Sequence, residues 1–263
     1  MTRLLTYLTL LACALTAQAG NIIGPAGQWA WYSRASSYTF PAASSIVLRW
    51  DFAASNSVQP DTSAVGTNSG AVNGAVWYST SSGRYSFDGV NDSITNANTA
   101  LCNAATALTV HVWIFGATNG VDIYDAPVSC FESAAPWSGF FIDYRNAGGT
   151  QIGGLVSDSD GNYSLAACTA GDFALNAWHH VVYTWKKTLG DNHIYIDGVE
   201  KTASPTENAD NNLSQTIGLT VGEDPSSAAQ WYAGFIGQIV IWKNWEAASS
   251  DVTNIWNGTK GVY

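Results

Sequence analysis

AWHHVVYTW, residues 177–185, decides the fold class. Val181, Tyr183 and Trp185 alternate with His180, Val182 and Thr184. A period of two in a β-rich run turns successive side chains to opposite faces of a strand. The run lies between Asn176 and Leu189-Gly190-Asp191-Asn192, so turns bound it on both sides. Next, His193-Ile194-Tyr195-Ile196 and Val199-Glu200-Lys201 flank Asp197-Gly198, and an Asp-Gly pair between two β runs predicts a tight hairpin. Further out, LTVHVWIF (108–115), APVSCF (126–131), GFFIDYR (139–145), QIGGLVS (151–157) and GFIGQIVIW (234–242) read the same way, separated by Gly, Asn, Asp and Ser clusters. Many short strands at this spacing predict an all-β sandwich of two antiparallel sheets. One short helix is expected near the C-terminus, with Ser249 or Ser250 as cap, Val252, Ile255 and Trp256 on one face and Asn257-Gly258 as stop.

A chain of 263 residues suits one sizeable core. Charged side chains make up 11%, less than half the ~25% typical of soluble domains. The formal net charge of −10 lacks the basic footprint of a nucleic-acid binder, so no nucleic-acid partner is expected. No apolar run reaches the ~20 residues of a transmembrane helix. The longest runs from Leu4 to Leu15, after Arg3 and before Ala17-Gln18-Ala19. That order of charge, apolar run and small residues is a signal peptide over residues 1–19, which makes the protein secreted or cell-surface. A lipid anchor at Cys13, in Leu10-Leu11-Ala12-Cys13, is the alternative. Residues 20–44 form an N-terminal extension or edge strand, and residues 45–263 the domain. Cleavage leaves Cys102, Cys130 and Cys168, an odd number that in an oxidising compartment implies one bridge and one leftover thiol. Cys130 with Cys168 is the pairing we expect among three, against an alternative of three buried, inert thiols.

The segments LRWDFAAS (48–55), GAVNGAVW (70–77), RYSFDGVNDSI (84–94), ALTVHVWI (107–114), LNAWHHVVYTW (175–185), HIYIDGVEK (193–201), TIGLTVG (216–222) and YAGFIGQIVIW (232–242) stand in an order that resembles the laminin G-like, concanavalin A-like jelly-roll domains. The resemblance covers roughly residues 45–260 and implies a jelly-roll β-sandwich. This fold hosts lectins, glycosidases, lyases and plain spacers, so the site must decide the function.

Glycosidases of the resembled architecture carry Glu-x-Asp-x-Glu or Glu-x-Asp-x-x-Glu on one strand, aiming alternate carboxylates into one cleft. The five glutamates here are Glu132, Glu200, Glu207, Glu223 and Glu246, no two within six positions. That acid/base strand is missing, and no enzyme activity is expected. His179 and His180 are adjacent and point to opposite faces. Asp158-Ser159-Asp160-Gly161-Asn162 resembles the opening half of a calcium loop, although its twelfth position is Thr169 and a hairpin turn explains the same residues. Asp88, Asp92, Asp51 and Asp61 stand at other loop rims. No cofactor is required, and a structural calcium ion is the one kept open.

Trp50, Trp113, Trp178, Trp185 and Trp242 lie in apolar strand runs and are expected in the core. Trp137, Trp231 and Tyr232 follow small polar residues in expected loops. With Glu223, Asp224 and Asn244 they form the candidate ligand-binding set, because aromatic faces stack on sugar rings while polar groups hold hydroxyls. Their plugging the sandwich ends is the alternative. The resulting expectation is a non-catalytic, exported module that binds a glycan or cell-surface partner. A structural particle or envelope component, and an enzyme with an unrecognised site, are the rivals.

Overall fold

Among the described residues, seventeen strands and one α-helix follow the alternation in the sequence: β1 (Ile46–Trp50), β2 (Val58–Gln59), β3 (Gly70–Asn73), β4 (Val76–Tyr78), β5 (Arg84–Asp88), β6 (Ser93–Asn96), β7 (Ala107–Gly116), β8 (Val128–Ser129) and β9 (Gly139–Tyr144). β10 (Ile152–Ser157), β11 (Tyr163–Ala167), β12 (Trp178–Lys186), β13 (Asn192–Ile196), β14 (Val199–Glu200), β15 (Ala203–Glu207), β16 (Leu219–Val221), β17 (Ala233–Lys243) and α1 (Ser249–Thr259) complete the chain. The computed structural model describes residues 38–79, 83–117, 124–132, 134, 137–146, 148–188, 191–225 and 230–263. The expected signal peptide, the Cys13 alternative and most of the 20–44 extension lie outside these residues.

The strands form two antiparallel sheets. The first runs β14-β13-β12-β7-β17-β5-β4, and the second runs β15-β11-β10-β9-β8-β16-β6-β3-β2. One flank of β17 is shared: β5 pairs with Ala233–Ile236, and β1 with the segment from Ile239 to Trp242. Between the two, the register slips at Gly237 and Gln238, a bulge of the kind that re-aims side chains.

Between the sheets lie Leu108, Val110, Val112 and Ile114 of β7, Val181, Tyr183 and Trp185 of β12, and Phe140, Ile142 and Val156 of the second sheet. Each such side chain stabilises by about 1.5–3 kcal/mol when fully buried. The outer face of the first sheet is also covered. Phe40 and Ile46 pack there on Val240, Trp242 and Ile255, and Val252 of α1 packs on Val182 and Tyr195. This second layer explains why β7 is buried along almost its whole length and reads as a near-continuous apolar run.

The outer layer changes several expectations. Trp50 and Trp185 are wholly buried between the sheets, but Trp113 and Trp242 are buried on the outer face, Trp242 in the cluster with Phe40 and Ile255 and Trp113 against Trp256 of α1. Trp178 is only half-buried; it shares the parity of His180 and Val182, not of Val181 and Trp185, and so faces outward. The helix is capped by Ala248, not by Ser249 or Ser250. Its N–H donates to Asp251 Oδ2 at 3.1 Å, and the helix runs through Gly258 to Thr259.

The expected Cys130–Cys168 bridge is absent: Cys102, Cys130 and Cys168 are buried free thiols. Cys130 follows β8 and Cys168 follows β11, with β9 and β10 between them. Three strand spacings separate them by about 14 Å, twice the ~7 Å Cα reach of a disulfide. The Cys168 sulfur instead accepts the Ile152 N–H at 3.2 Å.

Candidate functional site

The sequence-derived ligand set divides between the two ends of the sandwich. Tyr232 precedes β17 and Asn244 follows it, so they stand about 40 Å apart at ~3.4 Å per residue. Tyr232 is wholly buried, its ring stacked 6.2 Å from Tyr144 and its hydroxyl donating to the Phe235 carbonyl at 3.1 Å. This removes it from any ligand surface. Asn244 has a left-handed backbone, φ 60°, and its Oδ1 accepts the Thr106 N–H at 2.9 Å, which is a loop-closing role.

Glu223, Asp224 and Trp231 gather near Tyr232, with Glu223 bridged to Trp231 in a short antiparallel pair. On the outer face of the second sheet at this end, Asp143 Oδ1 lies 2.9 Å from Arg145 Nε, and the guanidinium covers the rings of Phe141 at 5.1 Å and Tyr124 at 5.8 Å. Burial pushes the Asp143 carboxyl up to about 8; Arg145 pulls it down, and the negative charge of Asp224 adds to the rise. Glu223 is also raised, by burial and by Asp224. Three carboxylates thus converge, a grouping the spacing of the glutamates did not reveal because two of them are aspartates on distant elements. Asp143 is 1% exposed and out of reach of a glycosidic oxygen, as general acid catalysis needs contact with the reacting atom.

Trp137 lies at the opposite end. Relative to β9 it falls about seven residues, roughly 23 Å, from the level of Glu223. It is 41% exposed, and its ring centroid is 5.5 Å from that of Tyr163. Glu132 pairs in a short antiparallel bridge with Ser138, the residue after Trp137, which ties this segment to the sheet. The Ser157 hydroxyl donates to the Trp137 carbonyl at 3.0 Å. At Ser138, the residue after Trp137, Thr216 Oγ1 donates to Glu132 Oε2 at 2.8 Å and touches Ser138 Oγ. With its one proton on Glu132, Thr216 accepts from Ser138. This chain orients Glu132 and leaves Oε1 with no partner among the described residues. Phe131, Phe141 and Leu155 extend the apolar surface inward from Tyr163. An exposed indole, a second ring and a fixed carboxylate form the combination that holds a pyranose by its C–H face and a hydroxyl. Glu132 and Tyr163 had no distinguishing signal in the sequence, since tertiary pairing brings Tyr163 to Trp137 and Glu132 to Ser138.

The calcium-loop residues are committed to backbone donors. Asp158 is wholly buried. Its Oδ1 accepts the N–H groups of Asp160 and Asn162 at 2.9 Å, and its Oδ2 those of Asp210 and Asn211 at 3.2 and 3.3 Å. Four amide protons point where a cation would sit, so this carboxylate does not fit a calcium ion. It joins two loops instead. Asp61 accepts from Arg49, Ser63 and Asn68 in the same way, and Asp88 accepts from Val90 and Asn91. Asp92 accepts from Asp88, and Asp51 from Arg49, Thr62 and Gln238. Ligand atoms of Asp191, His193 and Glu246 lie within 4.8 Å of one another. The Lys186 ammonium stands 3.7 Å from both carboxylates and already supplies positive charge there.

The profile of the concanavalin A-like lectin/glucanases superfamily matches residues 87–249, more than half of the chain. The chain belongs to this superfamily. No curated protein sequence matches it significantly. Among solved structures, it is similar to the receptor binding domain of botulinum neurotoxin C/D mosaic serotype, with a TM-score of 0.63 and 18% identity over 82% of this chain and 52% of that one. The binding domain of Paraclostridial Mosquitocidal Protein 1 gives 0.61 and 14% over 82% and 52%. The botulinum neurotoxin serotype D ligand binding domain in complex with N-acetylneuraminic acid gives 0.60 and 17% over 82% and 52%. The chain spans about half the length of these solved chains, and the likeness is one of fold. Among the described residues no helix is long and apolar enough to cross a membrane.

Proposed function

We propose that this member of the superfamily is a non-catalytic module that binds a glycan on a cell surface, through Trp137 and the polar chain beside it. The observation that carries this reading is an indole 41% exposed, next to Tyr163, with Glu132 held in place by Thr216. An exposed tryptophan with oriented polar neighbours has little structural purpose, whereas stacking on a sugar uses all of them. The neighbouring solved structures are named for receptor and ligand binding, one in complex with N-acetylneuraminic acid, which accords with recognition. The order of charge, apolar run and small residues over 1–19 supports export and would place the module outside the cell.

A glycan array on the chain identifies the sugar, and calorimetry on the best hit measures it. Trp137→Ala should weaken binding by ~1–3 kcal/mol, taking the range known for base stacking on aromatics. Glu132→Gln should weaken it less, since the amide keeps one acceptor. A chelator should leave the affinity unchanged. Binding that survives Trp137→Ala intact, or hydrolysis of the bound glycan, would refute the proposal.

A further inference from the structure

A second surface lies on the first sheet, beyond the part covered by α1. Cross-strand register places Trp178 of β12 opposite Phe115 of β7, Phe115 opposite Phe235 of β17, and Phe235 opposite Ser86 of β5. These residues form one row on the outer face. The Phe115 centroid lies 5.8 Å from both Trp178 and Phe235. Tyr263 stands 4.9 Å from Trp178 at one side, and Tyr78 meets Phe235 edge-on at 5.5 Å on the other. All three rings of the row are half-buried, and Tyr78 is 42% exposed. The small Ser86 leaves room for Arg84, two residues along β5 on the same face, whose guanidinium lies 5.0 Å above Phe235 and 5.7 Å above Trp178.

Arg84 differs from the other described arginines. Arg49 and Arg145 each lie 2.9 Å from a carboxylate. Arg84 forms no ion pair among the described residues, and its Nε is buried without an acceptor. In a chain of net charge −10, a guanidinium drawn over aromatic rings and left without an anion is an uncompensated charge. Removing such a group from water is costly unless it is paired. Burial lowers its pKa accordingly. A planar fork of N–H donors matches a carboxylate bidentately, and the rings on either side provide the flat apolar surface on which a pyranose stacks.

We infer that Arg84 and the Phe115–Trp178–Phe235 row form a second binding site, for a carboxylate-bearing sugar unit such as a uronic or ulosonic acid. The carboxylate pairs with the guanidinium, and the C–H face of the ring lies on the aromatic row. This site is separate from that of Trp137 and stands without it.

The test titrates the full chain with glucuronic acid and N-acetylneuraminic acid, with glucose as the neutral counterpart and inorganic sulfate as a plain anion, followed by tryptophan fluorescence and NMR. An acid sugar should bind more tightly than both glucose and sulfate, and less tightly as salt rises. Arg84→Gln should weaken it by ~10- to 100-fold, the usual worth of a hydrogen-bonded charge, with an unchanged circular dichroism spectrum. Arg84→Lys, which keeps the charge and loses the fork, should fall between. Lys187→Gln removes one exposed charge elsewhere and controls for net charge. The inference is overturned if neither acid binds at millimolar concentration, if sulfate binds as well as both acids, or if Arg84→Gln and Lys187→Gln have the same effect. It is overturned equally if Trp137→Ala abolishes acid-sugar binding and Arg84→Gln does not, a result that would leave the Trp137 reading in place.

Discussion

His111 and His180 meet under Trp256 of α1 and Phe40, with Nδ1 of the first 2.8 Å from Nε2 of the second. Both are wholly buried, so one neutral ring donates to the other. Burial takes His111 from its ordinary 6.5 down to about 3 and holds His180 well below its usual value, with His111 adding to the depression. The unfolded chain therefore binds more protons than the native one between about pH 3 and 6.5. Stability is fully present above that window and falls as the pH drops through it, by ~1.4 kcal/mol per pH unit for each proton. Asp143 acts in the opposite sense. Its carboxyl, raised to about 8, makes the native chain the better proton binder between about pH 4 and 8, so this contribution is lost as the pH rises to 8. With two imidazoles against one carboxyl, the thermal midpoint should peak near pH 6.5. Differential scanning calorimetry from pH 4 to 9 checks this, and Asp143→Asn should flatten the alkaline limb and steepen the acid one. A midpoint that stays level from pH 6.5 to 8.5 in the unmodified chain would show Asp143 ionised in its pair with Arg145.

At the scale of the elements, two glycines set how closely layers approach. A Cβ on Gly154 of β10 would stand 2.3 Å from the Tyr183 ring of β12, so the two sheets close to contact only because that side chain is absent. Gly154→Ala should cost ~1–3 kcal/mol as an overpacked core does, read as a lower urea midpoint with unchanged slope. On Gly237, in the bulge of β17, a Cβ would stand 2.3 Å from Tyr263, whose hydroxyl accepts the Gln238 N–H at 2.7 Å. Gly237→Ala should displace Tyr263 from Trp178, shift the tryptophan emission and weaken any acid-sugar binding. The strands themselves were legible: expected runs at 108–115, 139–145, 151–157 and 234–242 became β7, β9, β10 and β17, displaced by a residue or two at their ends. The run 126–131 shrank to the two residues of β8, because apolar content marks burial and not ladder pairing. The helix ended one residue late because the Tyr38 ring fills the place of a Gly258 side chain, so that glycine serves packing instead of termination.

Across the whole molecule, the two proposed sites occupy different sheets and opposite ends. Trp137 sits at the end shared with Asn244, and the Arg84 row at the end marked by Gly116 and Gly234. Sites so far apart with no shared partner should be energetically independent, so the effects of Trp137→Ala and Arg84→Gln on stability should add within about 0.5 kcal/mol in the double variant. Period-two alternation and turn chemistry determined the all-β sandwich and the approximate strands, because both depend on neighbours in sequence. Segment order pointed to the superfamily in the same way. The tertiary structure alone decided which of two apolar faces a strand turns inward, which tryptophans remain at the surface, and which cysteines are out of reach of each other. It alone separated Trp137 from Trp231 and gathered Trp178, Phe115, Phe235 and Arg84 into one row. These relations are set by register between strands up to 196 residues apart in sequence, as Ile46 and Trp242 are, and register follows from closing two sheets over one core and a helix over one of them.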